Sequence, residues 1–288
     1  MIKNFPYQGI ILGFISFICF STVNASNKYI SFHSLANLNG WFLYKNVISL
    51  LIVLIVGYII WRKDFFYLKN QKAVWARAII LAINQCCVMF AVKYLPLDLF
   101  YSITFLMPLV ITMFGIVFLK ESATYKNFIA LAFGLIGAII IIQPTINNPS
   151  FIGVILTLIV VITGALSALI VKLYMSDSNA LSSSISIYIL SILLSIGLSY
   201  DSFEMIYDIK LIAFSVIVSI VAILATVFFM QAYQKSQART IAPIQYTQII
   251  WGIIFGYVLF NQIPTSITLI GCSIIIVGNY INLSKISK

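Results

Sequence analysis

Apolar residues run through this chain in long unbroken blocks, without the strict alternation of a half-buried strand. Ten such blocks stand out, at about 8–30, 40–60, 74–93, 98–119, 126–143, 151–174, 181–200, 210–233, 241–261 and 265–283. A helix needs roughly 20 apolar residues to cross the hydrocarbon core, and only helices or closed barrels satisfy their backbone there. Without dyad alternation the blocks read as helices, so the predicted class is an all-α integral membrane protein with ten transmembrane helices. The connections are short and carry turn chemistry. Pro96 separates spans three and four, Pro144 and Pro149 bracket the link from five to six, and Pro264 marks the hairpin into span ten. None could hold a soluble domain.

Composition agrees with the pattern. The chain is 62% hydrophobic and only 8% charged, where a soluble domain carries about 25% charged residues. The net charge of +10 would suggest nucleic acid in a soluble protein. Here the bases fall mostly in short connections, where topology explains them, and no nucleic-acid partner is expected. With a cytoplasmic N-terminus, 13 of the 17 Lys and Arg lie inside. That set includes the run Arg62, Lys63, Lys69, Lys72 and Arg77, and leaves Lys28, Lys45, Lys93 and Lys210 toward the outside. The expectation is an inner-membrane protein with both termini cytoplasmic. The segment from Lys3 through Ala25 has the outline of a signal peptide, but it continues as a polar-lined helix to Lys28 and reads as a retained first span. Cys19, Cys86, Cys87 and Cys272 lie within apolar segments and His33 is the one histidine. No metal site and no cofactor are expected.

A shift of 144 residues lays Gly9 on Gly153 and Lys28 on Lys172. A shift of 141 lays Ala91 on Ala232, Phe114-Gly115 on Phe255-Gly256, Thr124 on Thr265 and Gly137 on Gly278. One nearly constant offset thus aligns five spans with five, predicting repeats over residues 1–145 and 146–288. Because five is odd, the second copy enters the membrane inverted. Inverted repeats build many secondary transporters, whose substrate site lies near the midplane between the halves.

The stretch Ala91-Val-Lys-Tyr-Leu-Pro-Leu-Asp-Leu-Phe-Tyr-Ser-Ile-Thr-Phe-Leu-Met-Pro108, with Phe118-Leu-Lys-Glu121 and Gly134-Leu-Ile-Gly137, resembles the EamA repeat of the drug/metabolite transporter superfamily. The second copy resembles it at Ala232-Tyr233 and from Gly271 to Gly278. It departs at Ile249, in the proline position, at Gln262, in the glutamate position, and at Lys45, where the family usually has arginine. The resemblance implies ten helices, cytoplasmic termini and a central cavity, and says little about substrate.

Ionisable groups inside a bilayer are costly and mark function by default. No Asp or Glu lies deep in any span: Asp98, Glu121 and Asp177 sit near span ends. Small four-helix proton-driven exporters of the resembled superfamily rely on a buried glutamate in span one, where this chain has Asn24. A carboxylate proton relay is therefore disfavoured against exchange or facilitated movement. Candidate substrate-binding residues are Asn24 and Lys28 on span one, Lys45 on span two, Asn84 on span three and Tyr101 and Thr104 on span four. Tyr188 on span seven and Gln245, Gln248 and Trp251 on span nine complete the set. The two lysines either attract a carboxylate or phosphate or snorkel to the headgroups. The amides either line a cavity or bond between helices. Tyr101, Phe105, Pro108 and Thr112 form one helical stripe, and Pro108 and Pro243, 135 apart, are candidate kinks at a gate. The glycines, including the Gly252–Gly256 pair, suit close packing within the bundle or at a dimer face. Monomer and homodimer both remain open.

These features predict a transporter of a small organic metabolite, amino-acid-like or nucleoside-like, working by alternating access. Export of drug-like or toxic amphiphiles is the alternative within transport. A membrane-embedded enzyme of lipid-linked intermediates would need a nucleophile with a base, or a metal set, which the single histidine and the lack of intramembrane acids argue against.

Overall fold

The computed structural model describes residues 7–33, 35–95, 100, 103–122, 124–142, 150–198, 208–261 and 265–283. Lys3, Pro96, Asp98, Tyr101, Pro144, Pro149, Asp201, Glu204, Gln262 and Pro264 lie outside them. Ten helices follow in order. They are α1 Gln8–Phe32, α2 Leu38–Trp61, α3 Gln71–Tyr94, α4 Met107–Leu119, α5 Tyr125–Ile142, α6 Phe151–Tyr174, α7 Ala180–Leu198, α8 Ile209–Lys235, α9 Ala238–Phe260 and α10 Ser266–Leu283. No strand occurs among the described residues. Seven of these helices are long and apolar enough to cross a membrane, and α4, α5 and α10 are apolar but shorter.

The caps show why the helices begin where they do. The side chains of Asn37, Ser150 and Asp208 accept hydrogen bonds from Asn39, Gly153 and Lys210 N–H groups at the starts of α2, α6 and α8. Inside the spans, serine and threonine hydroxyls donate to carbonyls one turn back, as Thr157 does to Gly153 at 2.8 Å and Ser195 to Ser191 at 2.5 Å. Such bonds satisfy the hydroxyl where no water is present.

Helix pairing carries a two-fold relation. The packed pairs are α1 with α8, α3 with α6, α2 with α8, α3 with α7, α1 with α9, α4 with α6, α2 with α7, and α5 with α10. Exchanging each helix for the one five later turns α1–α8 into α6–α3, α2–α8 into α7–α3 and α1–α9 into α6–α4. The pairs α2–α7 and α5–α10 map onto themselves. Helix ends repeat it: Lys120 and Asn261 both close their helices in the left-handed region at φ 52°, bonding back to Gly115 and Gly256 carbonyls. The fold is thus two five-helix repeats related by inversion.

The seam between α5 and α10 depends on a close approach. A Cβ on Gly137 would fall 2.7 Å from the Gly271 carbonyl oxygen, so only glycine fits there. The Gly252 position is no internal seam: it is exposed, and a Cβ there would meet nothing within 4 Å.

Both repeats break their fourth helix. In the first, helical structure at Ile103–Thr104 gives way to a turn at Phe105–Leu106, and Pro108 stands in the first turn of α4. In the second, α9 starts with the turn Ala238–Ile241, tightens to a 3-10 segment Ala242–Tyr246 around Pro243, and continues as regular helix from Thr247. A first-turn proline forfeits no intrahelical bond. Pro108 is therefore not a mid-helix kink, and the expected stripe from Phe105 to Thr112 is interrupted at the turn, where the helical register changes. The two breaks meet, since Tyr246 Oη donates to the Phe105 carbonyl at 3.1 Å and the rings lie 5.7 Å apart.

The start of α1 and the end of α10 lie on one side of the bundle, called here the terminal face: Gly9 packs against Ser236 just past α8, and α10 runs antiparallel to α5, with Gly271 against Gly137 and Gly278 against Ala130. The opposite side is the far face.

Candidate functional site

Near mid-span, buried and half-buried side chains from seven helices, most of them polar, form a band. Lys45 and Ser49 lie one turn apart on the same face of α2, both buried. The Tyr188 hydroxyl of α7 lies beside the Ser49 and Thr226 hydroxyls, close enough to interact with both but without the alignment of a full hydrogen bond. One turn on from Tyr188, Ser191 Oγ donates to Gln85 Oε1 of α3 at 3.5 Å. Neighbouring Asn84 donates to the Val160 carbonyl at 2.9 Å and to Thr163 Oγ1 at 2.8 Å on α6. A Cβ added to Gly164 would sit 2.6 Å from Met107 Cε and 3.8 Å from Asn84 Nδ2. Met107 then accepts from Gln245 Nε2 at 3.4 Å, while Gln245 Oε1 stays buried and unpartnered. Three of the helices, α2, α3 and α4, come from the first repeat, and α6, α7, α8 and α9 from the second. The band therefore follows the seam between the two repeats.

Electrostatically the band is one-sided. The Lys45 ammonium lies 5.3 Å from the Phe42 ring centroid and pairs with no carboxylate among the described residues. The backbone of α2 is pinned here, because Ser219 Oγ of α8 donates to the Lys45 carbonyl at 3.0 Å. A buried cation without a counter-ion costs several kcal/mol unless an anion visits it.

A second group of candidates lies on α1 and α9. Ser21 Oγ donates to the Gln248 carbonyl at 3.3 Å, tying the two helices together. Asn24, Lys28, Gln248 and Trp251 are all half-buried. Lys28 Nζ sits 4.7 Å from the Phe260 ring centroid near the far face. Asn27, one residue earlier, accepts from Trp41 Nε1 at 3.1 Å, and Trp41 stacks on Phe214.

Of the residues proposed from sequence, Lys45, Asn84, Tyr188 and Gln245 join in the band, with Asn84 also acting as a strut between α3 and α6. Asn24, Lys28, Gln248 and Trp251 flank it, and Thr104 is buried just before the helix break. Ser49, Thr226, Thr163 and Met107 are additions. Extending the Trp41–Lys45 stripe by one turn would have found Ser49. Met107 carried no signal, being one apolar residue among many. Arg77, counted above with the loop cations, lies on the seventh residue of α3 and is 1% exposed.

Comparison with known proteins follows the same division of the chain. The sequence profile of the EamA-like transporter family matches residues 7–143 and again 151–284. A pseudopaline exporter, CntI, of Pseudomonas aeruginosa is 21% identical, with all of both chains covered. An uncharacterized transporter of Helicobacter pylori is 23% identical over 99% of each. A crystal structure at 13% identity superposes with a TM-score of 0.81 over 99% of this chain and 100% of the other, a likeness of fold.

Proposed function

The chain belongs to the EamA-like transporter family, and from that premise we propose that it moves a small organic metabolite carrying a carboxylate on an amino-acid-like or nucleoside-like frame. It is an integral membrane transporter, so a small-molecule substrate and a lipid bilayer are its partners. Lys45 carries the reading: a buried ammonium with no acidic partner among the described residues, set at one end of the band. Its charge would hold the carboxylate, while the Tyr188 hydroxyl and the Gln245 amide oxygen, which has no hydrogen-bond partner among the described residues, would offer hydrogen bonds. Asn24, Gln248 and Trp251 would flank the remainder of the molecule.

Transport would proceed by alternating access, the halves rocking about the Phe105–Tyr246 crossing. No acidic side chain joins the described band, which favours exchange or facilitated movement over a proton relay. The charge distribution supports a cell-membrane location with both termini cytoplasmic. The name of the Pseudomonas relative favours export as the direction.

Proteoliposomes loaded with or without unlabelled counter-substrate, screened against labelled carboxylate metabolites, test this reading. Flux stimulated by internal substrate is expected. Lys45→Ala should raise the half-saturation concentration by at least about 30-fold, the cost of removing one partner of a buried charge pair. Gln248→Ala should cut flux less. A proton-coupled current, or full flux in Lys45→Ala, would overturn the reading.

A further inference from the structure

A second buried cation stands opposite the first. Arg77 is the seventh residue of α3 counted from the terminal face, and Lys45 the eighth of α2 counted from the far face. At 1.5 Å per residue each lies about 10 Å inside its own surface. Arg77 spans the seam between the repeats. Its Nε donates to Ser167 Oγ of α6 at 3.1 Å, and Nη1 reaches Met230 Sδ of α8 at 3.7 Å. Nη2 is buried without a partner, and no carboxylate pairs with the guanidinium among the described residues.

Packing does not require this arrangement. Ala73 and Val74, one turn before Arg77, belong with its contact Met230 to a buried apolar cluster, and a hydrophobic residue of similar volume would avoid the desolvation cost. Nor does Arg77 snorkel, since it is 1% exposed. What its buried, unpaired fork can do is take a planar anion in two parallel hydrogen bonds.

We propose that Arg77 is a second anion-binding station, on the terminal side of the band, which takes the substrate carboxylate when the halves open toward the terminal face. The proposal rests on the reading of the substrate as a carboxylate. Lys45 then serves the far side and Arg77 the terminal side, with Ser49, Tyr188 and Asn84 between them. In the present state the terminal station is shut, and Ser167 and Met230 occupy two of the three guanidinium nitrogens.

Acetate, the simplest carboxylate, is the probe. Purified full-length protein is unfolded thermally in sodium acetate and in sodium chloride at matched ionic strength. Acetate should raise the wild-type Tm by about 2–4 °C over chloride. Lys45→Gln and Arg77→Gln should each keep part of that rise, and the double variant none. Should Arg77→Gln fail to fold, Arg77→Lys decides: a station predicts a higher acetate midpoint, because the fork is lost, whereas a structural role predicts an unchanged one. An acetate response identical to wild type in the Arg77 variants, with Lys45→Gln alone abolishing it, would leave the carboxylate reading standing and remove the terminal station. No acetate-specific rise in the wild type would sink both.

Discussion

The two faces of the bundle join the halves by different physics. At the terminal face the contacts are directional. Glu121, just past α4, accepts from the Ala238 and Arg239 N–H groups at 3.0 and 3.2 Å, capping the start of α9 with a carboxylate. Arg239 reaches Ser122 at 3.2 Å, Asn70 donates to the Tyr174 carbonyl at 2.9 Å, Ser182 donates to the Phe65 carbonyl, and Lys69 pairs with Asp177 at 3.0 Å. At the far face the described contacts between halves are mainly ring contacts. Trp41 stacks on Phe214, Tyr29 meets Phe214 and Phe260, and Lys28 lies over Phe260. Hydrogen bonds break over a few tenths of an ångström, whereas aromatic surfaces slide with little loss. Among the described residues, the terminal face is therefore held by the more directional contacts and the far face mainly by apolar ring surfaces.

Glu121→Ala should disturb that contrast most. It removes two charge-assisted bonds worth about 2 kcal/mol together where water can partly replace them, so amide exchange at residues 238–241 should quicken by about 30-fold. Hydrogen–deuterium exchange read by mass spectrometry checks this, and a change under threefold would mean that Glu121 does not hold the terminal face. Phe260→Ala removes the platform under Lys28 and a contact of Tyr29. A loss of about 1 kcal/mol should quicken exchange at residues 257–260 by roughly fivefold and leave 238–241 unchanged. Equal opening of both faces by this variant would erase the distinction. Lys69→Met should do least, because the exposed Lys69–Asp177 pair is worth well under 1 kcal/mol at ordinary salt. A Tm within about 1 °C of wild type is expected, and a larger fall would show that surface ion pairs hold the terminal face.

How far the site could be read in advance varies residue by residue. Lys45 was legible because a lysine in an apolar run is conspicuous wherever the helix turns. Asn84 and Gln245 were legible as costly amides, but not as a strut and as a group flanking Met107. Arg77 misled, because a span drawn from residue 74 puts it in the first turn, where a cation reads as an anchor. The helix begins three residues earlier, at Gln71, and neighbouring helices close over the side chain. Pro108 stands in the first turn of its helix and the break precedes it, since proline tolerates the first turn and disfavours helix in the residue just before it.

The sequence by itself determined the solvent, the helices and the inverted duplication. Those depend on local quantities: the length of apolar runs, the scarcity of charge, and a constant offset between copies. Only the tertiary structure decided which polar groups share the seam and which cations stay unpaired. It also decided which face carries the directional contacts, because each depends on what a neighbouring helix, distant in the chain, places against the side chain. In lipid, where apolar surface gives helices no solvent-driven reason to choose partners, that choice rests on close packing and a few hydrogen bonds, and hydrophobic pattern does not encode it.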